Sequence, residues 1–195
     1  MIDQPWFDLE APIIPGLSAA GFSLGMNLRE LDHVLAAAKI EEICPGFNCF
    51  KEVKSCSEIL YVKNTYLSSL YYRNGTVRLD FNSCGELYWI FLFAGYCGSF
   101  GLIKIGSSMH EVQEQMPIFY DDSDEMFYPD REVKPDVPDG IAFIALEEPD
   151  EHSQQWQVLG FSIHDYEHER FSIARNDILQ QYLNRPAAHE LYQGR

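Results

Sequence analysis

A chain of 195 residues with 46% hydrophobic and 14% aromatic content can bury about 70% of its unfolded surface, as one large domain or two small ones. Its net charge of −16 repels phosphate backbones and argues against nucleic-acid binding. The longest apolar stretch, Leu87–Tyr96, is about half of what a bilayer crossing needs, so no membrane span is expected.

Residues 1–12 read as an extended arm with Trp6 and Phe7 tucked onto the body. Acids and prolines stand where a secretory signal would need a basic start and an unbroken apolar run. The five cysteines, Cys44, Cys49, Cys56, Cys84 and Cys97, have no CxxC or paired zinc-ligand spacing, and with the missing signal they point to reduced thiols in the cytoplasm.

From Ile13 to Cys97 runs a first repeat, and from 98 to 175 a second. Set with Gly25 over Gly106, GFSLGMNLREL and LIKIGSSMHEV align at an offset of 81 residues. Leu24 and Ile105 enter the turn, and the glycines supply a positive φ or a close backbone approach. Asn27 with Glu30, and Ser108 with Glu111, are matching capping boxes. Leu28, Leu31, Val34, Leu35 and Ala38 then fall at helical spacing, as do Met109, Val112 and Met116. After the first helix, Pro45-Gly46 marks a turn and Phe50–Val53 begins a strand. Ile59–Tyr72, Thr76–Asn82 and Gly85–Tyr96 follow as consecutive strands. After the second come residues 120–140, rich in acid and proline, then strands in Gly140–Glu147 and Trp156–Asp165. The acidic insertion at 120–139 reads as a functional or mobile loop without helix or inner strand. A short helix over Asp177–Leu183 and a fraying tail complete the C-terminal part, 176–195. The fold class is α+β: two tandem helix-plus-antiparallel-meander repeats, with one continuous sheet and helices on one face as its natural assembly.

Charge is unevenly spread. Residues 121–170 hold 15 Asp plus Glu against 3 Lys plus Arg, a field that attracts and orients a basic protein and otherwise serves solubility. No GxSxG elbow, P-loop, Rossmann fingerprint or HExxH occurs. His164 and His168 would share a face on a helix, but they follow one apolar strand and precede another, so a turn is expected there rather than a metal site. Asp121, Asp122, Asp124 and Glu125 lack the spacing of a calcium loop. Cys97 with His110 is an arbitrary pairing, and the acids have few apolar neighbours to raise a pKa for glycoside chemistry. No catalytic residue, cofactor or metal is expected.

The unit that opens with Leu24-Gly25-Met26-Asn27 and Glu30-Leu31, and again with Ile105-Gly106-Ser107-Ser108 and Glu111-Val112, resembles the repeat of the β-lactamase inhibitor protein fold. That repeat is also seen singly in small outer-membrane assembly lipoproteins. The resemblance covers about a third of each half. The chain has no lipobox cysteine, and its cysteines do not recur at the repeat offset, so it looks more like the acidic, unexported immunity proteins of bacterial toxin systems. That likeness implies a non-enzymatic protein that blocks a cognate toxin or effector with a basic surface. The expected contact residues are Tyr120, Asp121, Asp122, Asp124, Glu125, Phe127, Tyr128 and Asp130, then Glu147, Glu148, Asp150 and Glu151 in the following hairpin. The acids would steer the partner and the aromatics anchor it. The alternative is a module that holds a small ligand or peptide in a concave antiparallel sheet. An exposed sheet edge would also allow two chains to pair.

Overall fold

The computed structural model describes residues 6–42, 58–63, 68–146 and 156–165, all within one compact unit, Met1–Asp165. Phe50–Val53, the 147–151 segment, the helix at 177–183 and the residues from 166 onward lie outside the described residues.

The arm comes first. Phe7 is buried and stacks on Tyr72, ring centroids 4.0 Å apart, while Trp6 lies edge-on to His33. A small hairpin follows, β1 (Ser18–Ala19) and β2 (Phe22–Ser23). Ala20 and Gly21 both take positive φ between them, which suits the twist of a two-residue turn. A 3₁₀ turn at Leu28–Leu31 then runs into α1 (Asp32–Ala37). Beyond it are β3 (Lys39–Glu42), β4 (Ile59–Lys63), β5 (Ser68–Tyr72), β6 (Val77–Phe81) and β7 (Leu87–Leu92). The second half holds α2 (Met109–Gln115), β8 (Ile118–Asp121), β9 (Met126–Pro129), β10 (Ile141–Ile144) and β11 (Gly160–His164).

Nine strands make one sheet in the order β3-β4-β5-β6-β7-β11-β10-β9-β8. All neighbours are antiparallel except β3 and β4, which run parallel. The fold is thus α+β with a large, mostly antiparallel sheet. Strands β4 to β7 and β8 to β11 are two meanders, and they join through their last strands, with Trp89, Ile90, Phe91 and Leu92 opposite His164, Ile163, Ser162 and Phe161.

Helices and sheet share a core on one face. Leu31 and Val34 from the first helical segment, and Met109 and Val112 from α2, pack with Ile59, Leu70, Leu79, Ile90, Phe161, Phe143 and Phe127. Along single strands the core residues recur with period two, as in Ile59 and Tyr61, Leu70 and Tyr72, or Phe161 and Ile163, as one buried face requires.

Both helical segments are docked in the same way. The Gly25 and Gly106 amides donate to the Leu87 and Val158 carbonyls at 2.7 and 2.8 Å. The Leu87 and Val158 amides return bonds to Met26 and Ser107, and the Leu28 and Met109 amides reach Gly85 and Trp156. Both glycines have positive φ, and both capping boxes are closed.

Two expectations are overturned. The 120–139 stretch is not a loop: its first part forms the β8–β9 hairpin, and β9 is an inner strand between β8 and β10. Acid density hid a strand pair whose charge sits at its tip, on Asp121 at the end of β8 and on Asp122, Asp124 and Glu125 in the turn, and Pro129 is tolerated because it stands at a strand end. Lys39–Glu42 was also not expected as a strand; its parallel pairing with β4 is a long-range contact that local pattern does not encode.

Candidate functional site

The expected contact residues separate into three groups. Asp121, Asp122, Asp124 and Glu125 are brought together at the tip of the β8–β9 hairpin. Asp121 accepts from the Ser123 amide at 2.9 Å and from its hydroxyl at 2.6 Å. These bonds favour the ionised form and hold its carboxyl below the usual value. Asp124 accepts from the Tyr128 hydroxyl, yet burial pushes its carboxyl up, helped by the Asp121 charge and opposed by the Tyr128 bond. Asp122 and Glu125 are exposed, and Glu125 holds φ at +60, an uncommon conformation for a side chain of its kind.

The aromatic residues behave otherwise. Tyr120 and Phe127 are cross-strand partners 5.0 Å apart at the core face, and Phe127 and Tyr128 are 6 and 7% exposed. Their rings are committed to the fold's own packing, so they do not stand out as free anchors. The ring that does is Phe119, 43% exposed and stacked on Tyr128. Sequence reading missed it because a strand of type Ile-Phe-Tyr does not announce which face meets the core. Asp130 lies apart from the tip, its carboxylate accepting from the Glu132 and Val133 amides. Glu147, Glu148, Asp150 and Glu151 are outside the described residues.

A second feature lies on the sheet face away from the helices. Register sets Leu60, Tyr71, Arg78, Phe91, Ser162 and Ala142 in one row across six strands, and the row extends through Tyr128 to Phe119. Arg78 grips Asp80 through two bonds, 2.9 and 2.6 Å, and its guanidinium lies over the Phe91 and Tyr71 rings at 5.0 and 5.6 Å. Burial works against the Arg78 charge, but the attraction and hydrogen bonds of Asp80 outweigh it, and the net shift is upward. Rings continue on either side: Phe93 on Phe91, Phe91 on Trp89, Trp89 against His164, and His164 against Tyr128. Most of this row is buried, with Ser162 and Ala142 at 0% exposure and Leu60, Phe91 and Tyr128 at 7% or less, while Tyr71, Arg78, Trp89 and Phe93 are half-buried.

Ser162 and His164 invite an enzymatic reading, since the hydroxyl lies 3.3 Å from Nδ1. Burial decides against it: the residues are 0 and 1% exposed, and the Trp89 indole donates to the same hydroxyl. A nucleophile must reach its substrate. His164 closes β11 rather than lying in a turn, and His168 is outside the described residues. Among the described residues no group of three or more His, Cys, Asp or Glu is placed to hold a metal, and no helix is long and apolar enough to cross a membrane. Comparison with protein-family models, curated proteins and solved structures finds no match for this chain.

Proposed function

We propose that the chain is a non-enzymatic inhibitor of the immunity type, which binds a cognate bacterial toxin or effector in the cytoplasm and covers its active site. The observation that supports this reading is the tip of the β8–β9 hairpin. Asp121 ends β8, and Asp122, Asp124 and Glu125 lie in the turn that joins it to β9, beside the exposed Phe119. Acids on a rigid element steer a basic surface into one orientation, and an exposed ring beside them supplies apolar contact that charge alone does not. The twofold set of hydrogen bonds at Gly25 and Gly106 supports a tandem duplication as the origin of the scaffold.

The test is association kinetics with a partner recovered by copurification from the native cell, or encoded beside this chain. Neutralising Asp121, Asp122, Asp124 and Glu125 together should lower the on-rate about tenfold or more and flatten its salt dependence. An unchanged on-rate leaves the acids as solubility groups. The half-buried rings around Arg78, those of Tyr71, Trp89 and Phe93, favour a second reading, a module for a peptide or small ligand. It requires a rise in Tm on adding that ligand with no protein partner present.

A further inference from the structure

His164 stands where the two meanders meet. It is the last residue of β11 and the partner of Trp89 across the seam. Its amide donates to the Gly140 carbonyl at 3.1 Å, and that carbonyl also receives the Gly16 amide at 2.9 Å. The imidazole lies between two rings, 5.9 Å from Trp89 on β7 and 5.6 Å from Tyr128 on β9, edge-on to both. Ser162 links the seam: its hydroxyl accepts from the Trp89 indole, which can only donate, and lies 3.3 Å from Nδ1 of His164, to which it donates when that nitrogen carries no proton. Side chains of β7, β9 and β11 thus surround a residue that is 1% exposed, and its backbone shares the Gly140 carbonyl with the N-terminal segment.

We propose that the Trp89–Ser162–His164 cluster is an acid-sensitive latch, in which protonating the imidazole releases Trp89 and loosens the β7–β11 seam while each meander keeps its own pairing. A proton on Nδ1 turns that atom from acceptor to donor, so the Ser162 oxygen must accept from the imidazolium and the Trp89 indole together and turn its own proton away, which weakens its hold on Trp89. It also places a charge between two rings in a buried site, at a cost that folding must meet.

Charges facing the ring from its surroundings, among the described residues, are few. Asp139, before β10, and Asp165, after β11, favour the charged form, and burial outweighs both, so the imidazole is pushed down to about 4. Asp139 is already paired with Arg131. Asp80 of β6, beside Trp89 in the same row, is paired with Arg78, and Tyr128 of β9 donates its hydroxyl to Asp124. The unfolded chain takes up the proton near the ordinary value of 6.5. The stabilisation present above that value is therefore lost as pH falls from there through about 4.

The experiment is ¹⁹F NMR of the full chain labelled with 5-fluorotryptophan, titrated from neutral pH down to about 4 with far-UV circular dichroism in parallel. The Trp89 resonance, assigned by Trp89→Phe, should move reversibly in this window while the Trp156 resonance and the dichroism hold. Trp6 serves poorly as a reference because it lies against His33. His164→Gln should abolish the movement. Should that variant fold poorly, Ser162→Ala keeps the imidazole, removes the hydroxyl that couples it to Trp89, and should abolish most of the movement. The latch is overturned if Trp89 stays still to the end of the titration. It is equally overturned if Trp89 moves only together with Trp156 and the dichroism, or moves identically in the folded variants.

Discussion

The two turn–helix junctions, at Gly25 and Gly106, are alike in nearly every bond, whereas the two outer hairpins of the sheet are not. In the first half, Leu60 and Val62 of β4 are buried away from the helices, and β3 adds a further strand beyond. In the second half, β8 ends the described sheet with an exposed Phe119 and an acidic tip. Junctions that match reflect what the fold needs twice, namely a cap and an anchor for a helix on its own meander. Hairpins that differ are where the scaffold makes no such demand, and the charge lies there.

The largest expected effect tests the structure around the seam rather than the junctions. A Cβ at Gly140 would lie 2.5 Å from the Gly16 Cα and 2.6 Å from the His164 carbonyl oxygen, at φ +72. Overpacking and a left-handed backbone together make Gly140→Ala cost about 3–5 kcal/mol, measured as a fall in the urea midpoint. At Gly25 and Gly106 the φ values are +81 and +92, and a Cβ meets nothing within 4 Å. Alanine there carries only the backbone strain, about 1–2 kcal/mol at each site. Equal losses at the two positions would sharpen the likeness of the junctions, and losses differing by more than about 1 kcal/mol would break it.

The caps give a smaller and cleaner version of the same test. Asn27 accepts from the Arg29 amide at 3.1 Å, Ser108 from the Glu111 amide at 3.2 Å, and the glutamates reach back at 2.7 and 2.6 Å. Asn27→Ala and Ser108→Ala should each lower stability by about 1 kcal/mol, read by thermal unfolding. The double variant should lose the sum, since the junctions belong to different meanders.

These junctions were legible in the sequence because everything in them is local: a glycine, a cap three residues before its glutamate, and an apolar helical face. Period two also revealed β6 and β7. The seam was not legible, since nothing in Leu87–Leu92 states that its second neighbour is β11, some seventy residues on. The β8–β9 hairpin looks like a loop in the sequence because Asp121, Asp122, Asp124 and Glu125 dominate its composition while only two positions per strand face the core. Phe127 and Tyr128 look open to a partner in the sequence for the same reason: without the strand, neither has a face. Ser162 and His164 carry no local signal at all, and their meeting with Trp89 exists only once the meanders are joined.

Within the hairpin tip, two neighbouring acids are expected to respond in opposite directions, by the smallest amounts considered. Asp121 is held low by the Ser123 bonds, so its charge favours the fold above the unfolded carboxyl range, and that support fades as pH falls through its lowered value. Asp124 is held high by burial, so its ionised form is the disfavoured one in the folded chain, and the penalty fades as pH falls through its raised value. At neutral pH Asp121→Asn should therefore lower Tm slightly. Asp124→Asn should leave Tm unchanged or raise it, because the amide oxygen still accepts from Tyr128 while the buried charge is gone. Repeating both melts below the carboxyl range should bring the two variants together with the parent. If both lower Tm alike at neutral pH, the tip is a uniformly solvated charge cluster, and its likeness to an ordinary solubility loop is restored.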